Sequence, residues 1–232
     1  MSRITRKELK SDKFALEVEH TFSFFEEHRQ EVLRYGAIAL GVVVLVLSFM
    51  FWSRHQGTVR EEALARAFQA HEAPVGENPN APLSFPTEEA RQQESLKRFG
   101  DVVSKYSGSD EAQVAEYFLG SITADQGKMA EAEKHFKQVA DSGNANYGSL
   151  AKLALAQIYF GDGRAAEGEK TLRGLIDHPT VFVSKEQATI SLARLMMNSK
   201  PAEARKLLEP LRQIPGQIGQ VAITLYGEIP AQ

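Results

Sequence analysis

Between Arg34 and Arg54 the chain carries 19 consecutive residues without a charged side chain, YGAIALGVVVLVLSFMFWS, and no other stretch of the sequence does the same. As a helix rising about 1.5 Å per residue, this run covers close to the ~30 Å hydrocarbon core of a bilayer. Residues 35–53 are therefore predicted to form a single transmembrane helix. Tyr35 and Trp52 stand near its two ends, where amphipathic rings favour the membrane interface. A cleaved signal peptide would place a shorter apolar core nearer the N-terminus, followed by a small-x-small site. Here 34 residues precede the run, and Ser53-Arg54-His55-Gln56 follows it.

The pattern changes on both sides. In residues 1–34, Phe14, Val18, Phe22, Phe25 and Val32 recur at helical spacing, which predicts a weakly amphipathic helix leading into the span. Beyond the span, residues 54–70 are rich in strong helix formers and read as an outward helical extension. Residues 71–87 hold Pro74, Pro79, Pro82 and Pro86, four of the nine prolines, so an extended linker or irregular loop is expected there. Thr87 is a candidate N-cap, with Glu88 and Glu89 in the first turn behind it, and opens a domain expected to occupy residues 88–232.

Within that domain helical signals dominate and a period emerges. Gly127-Lys128-Met129-Ala130-Glu131-Ala132 returns 36 residues later as Gly163-Arg164-Ala165-Ala166-Glu167-Gly168. It returns again as Ser199-Lys200-Pro201-Ala202-Glu203-Ala204. Phe136, Leu172 and Leu208 keep the same offset, as do Val139, Leu175 and Leu211. Each unit reads as a helix, a short turn and a second helix. The small residues let two helices approach, and the large ones fill the space between them. One such hairpin cannot bury its apolar face alone, so about three must stack, with capping helices.

Composition narrows the chemistry. Net charge is −3, and no basic face suggests nucleic acid. The absence of cysteine excludes disulfides, thiol nucleophiles and thiolate metal sites. The six histidines form no H-x-x-x-H or H-E-x-x-H pair, so no metal site is expected. His135 is expected in solvent. So are the carboxylate pairs Glu131/Glu133 and Glu167/Glu169. No phosphate loop, nucleophile elbow or other cofactor motif is present, and a non-enzymatic role is expected. The tail before the span carries seven Lys and Arg, against Arg54, Arg60 and Arg66 just after it. The positive-inside rule then predicts a cytoplasmic N-terminus and a C-terminal domain outside the cytoplasm.

The repeat resembles the tetratricopeptide family. Leu119-Gly120, Gly127, Ala132 and Phe136 carry the likeness in the first unit, and Leu155-Ala156, Tyr159, Gly163 and Leu172 in the second. The third unit is degenerate, with Ser191-Leu192 where leucine-glycine would stand. The resemblance implies an α-solenoid, which with the single N-terminal transmembrane helix makes an all-α fold. It also implies a concave face that binds proteins. By register that face includes Tyr117, Phe118, Ser121, Leu150, Leu153, Gln157, Phe160, Glu186, Ile190, Met196 and Met197. The same residues, spaced as they are, equally suit packing between helices.

A narrower likeness lies in Phe24-Phe25-Glu26-Glu27-His28, the apolar run with Ser53-Arg54-His55-Gln56 behind it, and Tyr147-Gly148-Ser149-Leu150-Ala151. In these the chain resembles the family of ancillary subunits of the bacterial SecYEG translocon, which are periplasmic and chaperone-like. That resemblance implies residence in the bacterial inner membrane and partners among translocon subunits, exported clients or envelope proteins. The longer tail and the proline-rich segment depart from it. A scaffold for envelope assembly or cell division, or an enzyme or sensor without a recognisable motif, are the alternatives.

Overall fold

A computed structural model describes residues 29–77 and 80–230. The expected tail helix and its apolar stripe lie outside the described side chains. The chain divides into two compact units, Met1–Thr58 and Val59–Gln232. The first helix, α1 (Arg29–His71), runs 43 residues.

In the first unit the large apolar side chains of α1 are exposed among the described residues. Leu45 is 71% exposed, Phe51 79% and Trp52 59%. Every backbone group of a helix interior is bonded within the helix, which is what a hydrocarbon environment requires. The helix is long and apolar enough to cross a membrane.

The second unit is all-helical among the described residues apart from one isolated bridge. It starts with residues 59–71 of α1, followed by α2 (Glu88–Lys105), α3 (Asp110–Asp125), α4 (Met129–Ala140), α5 (Ala145–Gly161), α6 (Ala165–Asp177), α7 (Lys185–Met196) and α8 (Pro201–Leu208). A short 3-10 turn (Leu211–Gln213) and α9 (Gln217–Glu228) close it. Consecutive helices pack as hairpins, and α3 also touches α5, as α5 touches α7. This is the stack of three 36-residue hairpins that the sequence period requires.

The turns explain the period. Gly127 and Gly163 adopt φ of 76° and 77°, a region closed to most side chains. Each ends its helix in a Schellman motif: Lys128 N–H donates to the Thr123 carbonyl at 2.9 Å, and Arg164 N–H to that of Tyr159 at 2.7 Å. The third turn lacks this glycine and instead starts α8 on Pro201, which needs no amide partner there.

The core is a chain of local clusters. Ala67 of α1 packs with Phe99 and Val102 of α2 and with Ala115, Leu119 and Ile122 of α3. Phe136 and Val139 of α4 meet Leu155, Ile158 and Tyr159 of α5. Leu172 and Leu175 of α6 meet Leu192 and Met196 of α7. Ala193, Ala204 and Leu208 meet Ala222 and Leu225 of α9. The small residues stand where helices touch. A Cβ at Gly168 would lie 2.5 Å from Phe160 Cδ2, and one at Gly120 would lie 2.9 Å from Phe136 Cε1.

Three expectations need correction. The domain does not begin near Thr87. The extension of residues 54–70 supplies the fully buried Ala67 and Ala70, because its alanine face makes the first helix of the stack. The proline-rich segment is an irregular loop tied down at its ends, not an extended linker. Gly76 N–H donates to the Phe85 carbonyl at 2.8 Å, Phe85 N–H to that of Pro74 at 3.0 Å, and Ala73 is buried. His135 is not simply solvated: its Nδ1 lies 2.8 Å from Oε1 of the buried Glu116.

The carboxylate pairs split in two. Glu131 and Glu167 are exposed, while Glu133 and Glu169 clamp successive hairpins together. Arg164 donates to both oxygens of Glu133, at 2.9 and 2.6 Å, and Lys137 lies 2.7 Å away. One period on, Lys200 donates to Glu169 at 2.7 Å, and Arg173 bridges Glu169 and Glu203. Hydrogen bonds from Arg164 and then Lys137 hold the Glu133 carboxyl at about 2. Lys200 and Arg173 likewise lower that of Glu169. At the matching place in the last hairpin stands Arg205, which donates to the Ile229 carbonyl at 3.0 Å beyond the end of α9. The acid becomes a base where the next partner is a carbonyl instead of a cation.

Candidate functional site

The first helices of successive hairpins, α3 and α5, present one face each to the same space. On α3, Tyr117, Ser121, Ala124 and Asp125 fall at helical spacing. On α5, Ala154, Gln157, Ile158 and Gly161 do the same. Together with Met129 and Phe136 of α4 and Asp162 they line a cavity of about 480 Å³, within the range of ligand pockets. Gln157 and Met129 are exposed in it, whereas Tyr117 and Ser121 are half-buried. Tyr117 is fixed by its ring neighbours, Phe136 at 5.6 Å and Tyr147 at 5.6 Å. Burial pushes its phenol up from the usual tyrosine value, so it acts as a neutral donor and acceptor.

Of the residues assigned to the concave face, the structure brings Tyr117, Ser121 and Gln157 together here. The others go into packing. Phe118 stacks on Phe99 at 5.3 Å and meets Phe68 edge-on at 4.7 Å. Leu150, Leu153 and Phe160 pack on the cluster that holds Met196, and Ile190 and Met197 on the last cluster. Met196 is 1% exposed. Glu186 lines a different cavity, of about 660 Å³, between α6, α7 and α8. The packing reading of the stripe holds for most of its members, while Tyr117, Ser121 and Gln157 line a cavity.

Sequence reasoning missed Ala124, Asp125, Met129, Phe136, Ala154, Ile158, Gly161 and Asp162. The available signal was the period itself. The 36-residue mates of Ser121 and Asp125 are Gln157 and Gly161, and following the face one turn further finds them. Met129 and Phe136 come from the second helix of the hairpin, which a reading confined to first helices cannot reach.

The cavity offers an aromatic wall, an amide, a hydroxyl, a thioether and two carboxylates at its edge. Asp162 accepts from Arg164 at 3.0 Å. Among the described residues no group of three His, Asp or Glu is placed to hold a metal ion.

A sequence model described as a tetratricopeptide repeat-like domain matches residues 23–184. Comparison with curated proteins and with solved structures gives no match. The matched span starts before the apolar segment of α1 and ends just before α7. It covers well over half of the chain, and the helical hairpins, their glycine turns and the packing of Gly120 and Gly168 accord with it. The chain belongs to the tetratricopeptide repeat-like domain family.

Proposed function

We propose that this protein is a membrane-anchored, non-enzymatic interaction module that holds extended segments of other proteins in the cavity between α3, α4 and α5. The observation that carries this reading is the cavity itself: Tyr117, Ser121 and Gln157 of two successive hairpins converge on a space of about 480 Å³ with exposed, adaptable Met129 at its edge. Domains of this family generally bind proteins. The apolar segment of α1 keeps the domain at a membrane, which raises the local concentration of partners there without new contacts.

In this proposal the membrane is the bacterial inner membrane and the repeat domain faces the periplasm. The excess of Lys and Arg before the span supports that orientation. The likeness at residues 24–28, 53–56 and 147–151 supports a place beside the Sec translocon, as an ancillary subunit or a chaperone-like factor for exported proteins. Two measurements test it. A reporter active only outside the cytoplasm, fused after Gln232, is expected to be active; activity of an N-terminal fusion alone would reverse the orientation. Crosslinking of the full chain in intact membranes, followed by identification of the adducts, is expected to yield translocon subunits or exported proteins. Adducts drawn only from division or wall-building machinery would replace this setting with a scaffold.

A further inference from the structure

The end of the helical stack at which the chain enters carries an apolar tip. Contacts within the second unit fix which end this is. Arg60 Nε lies 3.3 Å from Glu111, so the start of this part of α1 stands beside the start of α3. Asn144 donates to Asp110 at 3.3 Å, which brings the start of α5 alongside. The Ser149 and Thr180 hydroxyls are 2.7 Å apart and the Tyr147 and Phe182 rings 5.4 Å, which adds the loop between α6 and α7.

Three loops between hairpins therefore share this end: 106–109, 141–144 and 178–184. The first two are four residues long, with polar Ser107-Gly108 and Ser142-Gly143 at their tips. The third has seven residues and is apolar. Val181 is 88% exposed and Phe182 42%. In the 36-residue register, residues 181–184 match 145–148, the first turn of α5, so a turn that is helical in the second hairpin is opened out in the third. The opening is held in shape. Thr180 N–H donates to the Val183 carbonyl at 2.9 Å, Val183 N–H donates to Thr180 Oγ1 at 3.1 Å, and Val183 itself is fully buried. The fold fixes the base of the loop and leaves Val181 and Phe182 outward.

Six residues of chain separate Trp52, at the end of the apolar run, from Val59, where the stack begins. The surface nearest in sequence to this end of the stack is thus a lipid surface. Phe and Val gain by leaving water, and a tether makes even a weak contact effective. Charges beside the tip are of both signs, Asp177 and Glu186 with Lys185, so nothing selects anionic headgroups. We infer that Val181 and Phe182 form a second membrane contact of this chain, inserting at the headgroup level of a bilayer. This rests on the reading of α1 as a span.

The sole tryptophan, Trp52, makes both readings separately measurable. The full-length protein is placed in vesicles of phosphatidylcholine brominated near the top of the acyl chains. In the parent, Trp52 reports the span. In a Trp52→Phe background, Val181→Trp reports the tip, and Met129→Trp, in the turn after α3 at the opposite end, serves as control. Helical melting checks that each variant folds; Val181 is exposed enough for the change to leave the core intact. We expect the Val181→Trp probe to be blue-shifted and quenched, the Met129→Trp probe to be neither, and phosphatidylglycerol to leave this unchanged. An unquenched Val181→Trp probe alongside a quenched Trp52 overturns the contact and leaves the span, and the tip is then free for a protein. Equal quenching of both probes, or quenching only with anionic lipid, overturns it too. An unquenched Trp52 removes the span and the inference together.

Discussion

Gly168 and Gly174 lie on the same helix and meet opposite surroundings, which makes them a controlled pair. A Cβ at Gly168 has the Phe160 ring at 2.5 Å and the Ala156 carbonyl oxygen at 3.0 Å, while at Gly174 nothing lies within 4 Å. Gly168→Ala is expected to lower stability by about 1–3 kcal/mol through overpacking. Gly174→Ala is expected to raise it by roughly 0.4–1 kcal/mol by restricting the unfolded chain. Denaturant unfolding of the two variants checks the signs, and a like sign for both would refute the packing described. Glu133 offers a test by pH. Its carboxyl is held at about 2, against 4.5 when free, so the folded state binds its proton more weakly than the unfolded state does. The clamp is then fully present above pH 4.5 and fades as pH falls towards 2. Glu133→Gln should melt below the parent at pH 7, and the gap should close across that window. The period exposed the small residues of the contacts, because size at a fixed offset is visible in a sequence. It did not expose the clamp. A Glu–Arg pair 31 residues apart crosses between hairpins, and at the sequence level Glu133 is no different from the exposed Glu131.

At the scale of elements, the two helices of each hairpin start differently. First helices begin with side-chain caps: Ser109 accepts from Ala112 N–H at 3.1 Å, Asn144 from Tyr147 at 3.1 Å and Ser184 from Gln187 at 3.1 Å. Second helices begin after Lys128, Arg164 and Lys200 with no side-chain cap. A cation at a helix N-terminus opposes the dipole, and Arg164 and Lys200 are placed there to reach the Glu of the preceding hairpin. Ser109→Ala is therefore expected to cost about 1 kcal/mol as a lost cap, measured by thermal unfolding. Lys128→Ser is expected to stabilise, since Lys128 stands where Arg164 and Lys200 stand, but 31 residues before it, where those two find their Glu, stands Lys97. A Lys128→Ser variant that melts below the parent would contradict this. Thr87 was legible as a cap because its two glutamates follow directly, and it accepts from Ala90 N–H at 3.2 Å. The opened first turn at 181–184 was not legible. Its residues favour no turn type by themselves, and the Ser149–Thr180 contact that anchors it joins two hairpins.

At the scale of the molecule, the helical stack was readable from its period, but its beginning was not. Helix propensity marks residues 54–70 as helical without saying what their alanines touch, and four prolines suggested a break where the structure instead closes a hydrogen-bonded loop. Stacks of this kind depend on neighbours and on caps at both ends. The α9 cap covers Ala193, Ala204 and Leu208 with Ala222, Leu225 and Ile229. Ending the chain after Pro210 should expose that apolar surface and produce aggregation or a lowered, broadened melting transition. The cavity between α3, α4 and α5 was half legible, since its first-helix residues share one stripe with residues that only pack. Whether this cavity holds other proteins can be read by photocrosslinking. A photoreactive amino acid is placed at Gln157, which is exposed within the cavity, and separately at Lys134, which is exposed on α4 outside it. Both full-length proteins are irradiated in intact membranes. Protein adducts are expected at Gln157 and few at Lys134. Adducts of equal yield at both positions, or at Lys134 alone, would contradict that role for the cavity.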